Sequence, residues 1–330
     1  RSNLINLTED YRMKASEENV YDGDIRRCLF YARYLKEKKM DIYLNKYTPS
    51  EICKSVNEKI HELMGTSYER VNFINDMQLE CDNALVKLEC FSWFQKNERA
   101  TYWVWFFFLD LKTLTVHLPS ASSSVNNPEQ TFPYEIKTPG NIRPLAVTTS
   151  HSSRVNAIIH YFDQWSFNEV VDEKLLMQGI TVAQIKLQIL NVLRMKWSVI
   201  FNQKDPFGCI KNRTDENTSW AWRYIKNYKH PLFNLMDLSP VSKEENELAL
   251  YCAWDTTHND DVGRKYFLSE FKKAWGQKKF RDNSKNTRVV NTRISNGIKE
   301  KLDILAQENN KSIADTISVL IEQEYDYRHR

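Results

Sequence analysis

The chain has 330 residues, of which 42% are hydrophobic and 27% charged, with 8 glycines, 9 prolines and a net charge of +3. This composition supports a sizeable core and excludes a fibrous or disordered chain. The length suits two domains, or one large domain with an appended module. The longest unbroken apolar run, Tyr102 to Leu109, is far too short to cross a bilayer, and no secretory hydrophobic region follows the start, so no membrane association is expected.

The first residue is Arg rather than Met, which suggests that leading sequence was removed or replaced. The cysteines at 28, 53, 81, 90, 209 and 252 form no CxxC pair and no regular framework, as suits reduced thiols in a cytoplasmic protein. Charge is unevenly placed. Between Arg264 and Lys301 there are 12 basic residues against 3 acidic, a net +9, and the remainder carries −6. Clustered Lys and Arg release counterions from phosphates, so a polyanion partner is expected at that end.

Residues 1–47 read as mostly helical, with one helix from Asp24 to Lys38. Thr48-Pro49-Ser50-Glu51 predicts a helix start with a capping box, and Ile52, Val56, Ile60 and Leu63 share the face that follows, up to Gly65. Over 70–118 the period changes. Leu85 to Phe94 partly alternates, Tyr102 to Leu109 is a solid aromatic run, and Asp110 to Thr113 separates it from Leu114 to Leu118. This pattern predicts three or four antiparallel strands, one of them buried on both faces. Residues 119–148 hold five of the prolines and a serine run, and read as a long loop or domain junction.

From Ser150 the chain reads as helical. Thr181-x-x-Gln184 is a capping box followed by Ile185, Ile189, Val192 and Trp197 at helical spacing. Asp205 to Gly208 is a turn. Further helices are expected over Thr214–Tyr228, from Ser242, and over Asp261–Trp275, where Phe267, Phe271 and Trp275 share a face. Residues 278–287 are polar, basic and poorly periodic, and read as a linker between an α+β region (1–277) and a terminal module (288–330).

In that module, Val289 to Ile294 alternates as a strand does. Val289, Asn291 and Arg293 lie on one face, and Val290, Thr292 and Ile294 on the other. One helix then turns Ile298, Leu302 and Leu305 inward. After a turn at Asn309-Asn310-Lys311 and a Ser312/Asp315 cap, a second turns Ile313, Ile317, Leu320 and Ile321 inward. One strand and two short helices are too small to bury those positions alone, so a second copy is expected. Two paired strands form a ribbon that fits the major groove of duplex DNA.

Residues 288–325 resemble the ribbon-helix-helix DNA-binding family of the Arc/MetJ type, and within it most of all the C-terminal module of the chromosome-organising MatP proteins. The resemblance covers about an eighth of the chain. The region before it does not resemble the MatP helical bundle, and the long coiled coil that follows the module there has no counterpart. By the family's pattern Asn291 and Arg293 face bases and Val289 makes an apolar contact. Asn309-Asn310 replaces the usual small or glycine residue of the turn, a mild departure because Asn tolerates the left-handed conformation.

The fold class expected is therefore α+β: a helix-rich N-terminal region with a small antiparallel sheet, plus a C-terminal ribbon-helix-helix module. The expected DNA-contacting residues are Arg288, Val289, Asn291, Arg293, Lys311, Ser312, Lys278, Lys279, Arg281 and Lys285. The expected dimer core is Ile294, Ile298, Leu302, Leu305, Ile317, Leu320 and Ile321. Partners are double-stranded DNA, a second copy, and a ligand or protein recruited by the N-terminal region.

The expected role is a bacterial, cytoplasmic, nucleoid-associated regulator of transcription or a maintenance factor of a plasmid, prophage or chromosome, rather than an enzyme. No cofactor is expected, since there is no phosphate-cradling glycine loop and no His or Cys pair at metal-ligand spacing.

Four other readings stand beside these. The terminal unit could be a helical hairpin closing the larger fold. Asp110-Leu-Lys112 ending an apolar strand, with Asp82 or Glu80, is the skeleton of a metal-dependent nuclease of a defence or mobile-element system. Trp220 to Lys226 could stack single-stranded bases, although such spacing more often marks core. Ser242 to Trp275 could be a helix-turn-helix.

Overall fold

A computed structural model describes residues 18–44, 47–110, 113–119, 131–137, 150–165, 180–228, 232–233, 238–257, 261–284 and 290–329. The chain divides into two units, Arg1–Phe271 and Lys272–Arg330, with the division falling inside one long helix.

In the first unit, α1 (Ile25–Glu37) starts at Asp24, whose carboxylate accepts from the Arg26 N–H at 2.8 Å. Helix α2 (Pro49–Leu63) has proline in its first turn, but Thr48 makes no side-chain cap bond, so the capping box read at Thr48/Glu51 does not form. Helix α3 (Ser67–Ala84) carries a true box at Thr66/Glu69. Its partners α1 and α2 enclose a core of Tyr31, Leu35, Ile52, Val56, Ile60 and Met77, all 0% exposed.

The strands expected between 85 and 109 are helical. After α3 come a 3-10 turn (Leu88–Phe91), the single-turn α4 (Ser92–Gln95), and α5 (Glu98–Asp110). A short apolar run has no period by which helix and strand can be told apart. Here the run is apolar on every side because α5 is covered on every side, packing on both α6 (His151–Gln164) and α9 (Lys243–Asp255), with Trp103, Val104, Trp105, Phe106 and Phe108 buried.

The α+β class is thereby corrected: the chain is helix-rich, and no strand precedes residue 113 among the described residues. What pairs is one hairpin, β1 (Thr113–Pro119) against β2 (Thr131–Lys137), in antiparallel register from Thr113↔Lys137 to Pro119↔Thr131. Its second strand lies inside the stretch read as loop. Proline at 133 and the Ser/Pro-rich surroundings hid it.

The remaining helices follow the sequence signals closely. Helix α7 (Val182–Phe201) opens with the Thr181/Gln184 box, and Ile185, Ile189 and Trp197 are buried. Helix α8 (Asp215–Lys226) is capped by Thr214, and α9 by Ser242. Helix α10 runs from Asp261 to Ser284, so residues 278–284, read as linker, are helical instead, and 285–287 lie outside the described residues. Phe267 and Phe271 on α10 pack with Phe207 and Trp254 into an aromatic cluster.

One buried ionic knot ties the first unit together. Arg26 of α1 grips Asp163 of α6 through two bonds of 2.6 and 2.7 Å and donates to the Val86 carbonyl at 2.8 Å. Arg33 donates to the Asp163 carbonyl at 2.7 Å. Lys186 of α7, fully buried, donates to the Ala84 carbonyl at the end of α3 at 2.8 Å. Burial pushes the Lys186 amine down to about 7; Asp163 opposes that shift, while Arg33 and Arg26 reinforce it.

In an unfolded chain lysine titrates near ~10.4. Between about 7 and that value the unfolded chain holds more protons than the folded one, so this residue's contribution to stability rises with pH and is lowest below 7. Lys186→Met is therefore expected to raise Tm at pH 6.5, with the advantage shrinking towards pH 9. A Tm difference that stays constant across that range, measured by circular dichroism, would contradict a depressed lysine.

Candidate nucleic-acid interface

The second unit holds the end of α10, then α11 (Asn296–Glu308) and α12 (Ile313–Arg328), which pack on each other. Helix α11 starts at Ser295, in an extended conformation with no side-chain cap bond. It ends in a Schellman closure. Asn310 takes a left-handed φ of 51°, the Lys311 N–H reaches the Ala306 carbonyl at 2.9 Å, and the Asn310 N–H reaches Gln307 at 3.1 Å. Asn fills the place more often held by Gly because its side chain tolerates φ > 0. Ser312 then caps α12, accepting from the Asp315 N–H at 3.2 Å and donating to the Asp315 carboxylate at 2.6 Å.

The strand expected at Val289–Ile294 is absent. Residues 290–294 are coil, and Val289 lies outside the described residues. A strand exists only as half of a hydrogen-bonded ladder, and the single chain supplies no second half here. The ribbon-helix-helix fold is therefore not what one chain forms, and a helical hairpin preceded by coil stands in its place.

Of the residues read as contacting DNA, Asn291, Arg293, Lys311, Ser312, Lys279 and Arg281 are exposed. Lys285 and Arg288 also lie outside the described residues. Lys278 is turned inward: it is 6% exposed, pairs with Asp282, and sits over the Trp275 ring at 5.5 Å.

Of the residues read as dimer core, Leu302 is buried within the single chain, together with Ala306 and Thr316. The others stay exposed: Ile294 by 43%, Ile298 by 52%, Leu305 by 36%, Ile317 by 40%, Leu320 by 41% and Ile321 by 64%. Ile313 and Tyr325 extend the same face, and Ile317, Leu320, Ile321, Tyr325 and His329 line an open apolar groove. Tyr325 is missing from the expected core although it follows Ile321 by four residues, which is helical spacing.

The other candidate sites take different forms. Tyr102–Leu109 is helix, so no strand carries Asp110-Leu-Lys112; Lys112 and the Asp110 side chain lie outside what is described, and Asp82 is paired with Arg27. Among the described residues no three His, Cys, Asp or Glu side chains converge as a metal site would require. Trp220 and Tyr224 pack on Phe271, and Tyr224 and Tyr228 on Phe267, so the aromatic strip of α8 serves the core. In α9, Ala249, Leu250, Cys252, Ala253 and Trp254 are buried, which places that helix inside the fold. No described helix is long and apolar enough to cross a membrane.

Compared with protein families, with characterised proteins and with solved structures, the chain matches none.

The exposed face of α11 and α12 yields a test. Burying one isoleucine contributes roughly 1.5–3 kcal/mol, and a symmetric pair of chains counts it twice. Ile321→Asp, at a side chain 64% exposed in one chain, is expected to weaken any self-association through this face at least ~100-fold by that arithmetic. Sedimentation velocity over a concentration series that showed equal association of variant and wild type would exclude this face as the contact.

Proposed function

We propose that the protein binds double-stranded DNA as a dimer formed by its second unit, and acts as a regulator of transcription or in the upkeep of a plasmid, prophage or chromosome region. The observation that carries this reading is the apolar face of α11 and α12, left uncovered in one chain and flanked by exposed cations. A second copy covers the face by symmetry, since the same residues meet their own counterparts.

Dimerisation brings two coil segments, each with Asn291 and Arg293, into one assembly. Arg pairs with guanine N7/O6 and Asn with adenine N6/N7, so those two side chains have the chemistry of base readout. The resemblance of residues 288–325 to known DNA-binding modules supports the same reading. The first unit then serves as a sensing or partner-recruiting body, and the complex belongs with the nucleoid.

Arg293→Ala is expected to cost roughly 1–3 kcal/mol on the cognate site and to relax discrimination at one base pair. The site is first obtained by selecting bound sequences from a random duplex pool. Unchanged affinity and unchanged selected sequence at fixed salt would remove Arg293 from the interface. Recovery of no sequence above background would remove sequence-specific binding altogether.

A further inference from the structure

The second unit begins with the last turns of α10, residues 272–284. Their exposed charges are all of one sign: Lys272, Lys273, Lys279 and Arg281. The single acid, Asp282, is half-buried and already neutralised by the inward-facing Lys278. With its one carboxylate paired to its one buried lysine, the segment's exposed charges are cationic.

That surface has a period. At about 3.6 residues per turn, Lys272, Gly276, Lys279 and Asn283 fall within one arc of about 60°, and Trp275 and Lys278 lie outside it. Gly276 sits between the two lysines, and a Cβ added there would meet nothing within 4 Å. Packing therefore does not require glycine here, while glycine in a helix interior is destabilising. Its effect is to leave the backbone bare between two cations, where a bulky anion can approach closely.

Seven residues separate Lys272 from Lys279, about 10.5 Å along the axis, close to the ~10 Å rise of three nucleotides on one strand. We infer that this face of α10 tracks the DNA backbone, with Lys272 and Lys279 each holding a phosphate astride Gly276, and that Lys278 contacts none. The inference rests on the duplex-binding reading above and adds to it a second, sequence-independent contact.

The test is the salt dependence of binding by the full chain to a random-sequence 30-base-pair duplex, followed by fluorescence anisotropy. Each neutralised phosphate contributes about 0.9 to the slope of log affinity against log salt. Lys272→Gln with Lys279→Gln is expected to lower that slope by about 2, while Lys278→Gln leaves it unchanged. Circular dichroism verifies that each variant keeps its helix content.

Duplex binding with an unaltered slope in the double variant overturns the inference and leaves the wider reading standing. An absence of duplex binding in the wild type overturns both. Binding of wild type to phosphatidylserine vesicles that the double variant loses, with duplex binding unaltered, would assign the face to a lipid surface instead and also overturns it.

Discussion

Asp163 is where the first unit is fastened. Its carboxylate takes both arms of Arg26 and its carbonyl takes Arg33, so one residue of α6 holds α1 at two levels. Arg26 and Lys186 also close the carbonyls of Val86 and Ala84, where α3 ends. Helices α1 and α6 thus meet at one anion, and α3 and α7 are tied in beside it through the Ala84 carbonyl. Removing one partner of such a buried pair typically costs ~3–5 kcal/mol because the other charge is stranded. Lys186 is the exception that makes the crowding tolerable: with its amine pushed down to about 7, it can sit there uncharged.

The same device recurs where α5 meets its neighbours. Arg99 reaches the buried Asp255 of α9 at 2.7 Å and lies 4.1 Å from the Tyr251 ring centre. Arg154 of α6 pairs with Glu245 of α9 and lies over Tyr102. In each case a guanidinium satisfies a carboxylate while its flat face covers an aromatic ring, so charge is buried without leaving apolar surface uncovered.

These pairings also mark the boundary of what the sequence discloses. Turns, amphipathic helices and several caps were legible, because each is written in residues a few positions apart: Thr181 with Gln184, Asp205 with Gly208, Ile52 with Val56 and Ile60; Thr48 with Glu51 reads the same way and forms no box. Helix α5 was not, because its identity lies in what surrounds it. An apolar run is a strand when two faces are covered and a helix when all are, and Asp255 and Glu245 are about 150 and 90 residues away from their partners Arg99 and Arg154. At the terminal unit the two helices and the left-handed Asn310 were written locally, whereas the ribbon was inferred from an alternation that one chain cannot realise. Lys278 taught the reverse lesson. In a basic stretch it read like its neighbours, but the Asp282 carboxylate four residues on and the Trp275 ring three residues before hold it inward.

Between Val290 and His329 only Leu302, Ala306 and Thr316 are buried. Three side chains, one of them polar, are a thin interior for two helices of 13 and 16 residues, and isolated helices of that length are marginal in water. Where a fold relies on association for its core, mass action makes order a function of how much protein is present. Under the pairing proposed above, abundance would be a physical variable of the molecule: a sparse chain would carry a loosely formed end, a plentiful one a formed end, and the cell's copy number would act as a setting on the protein's own structure.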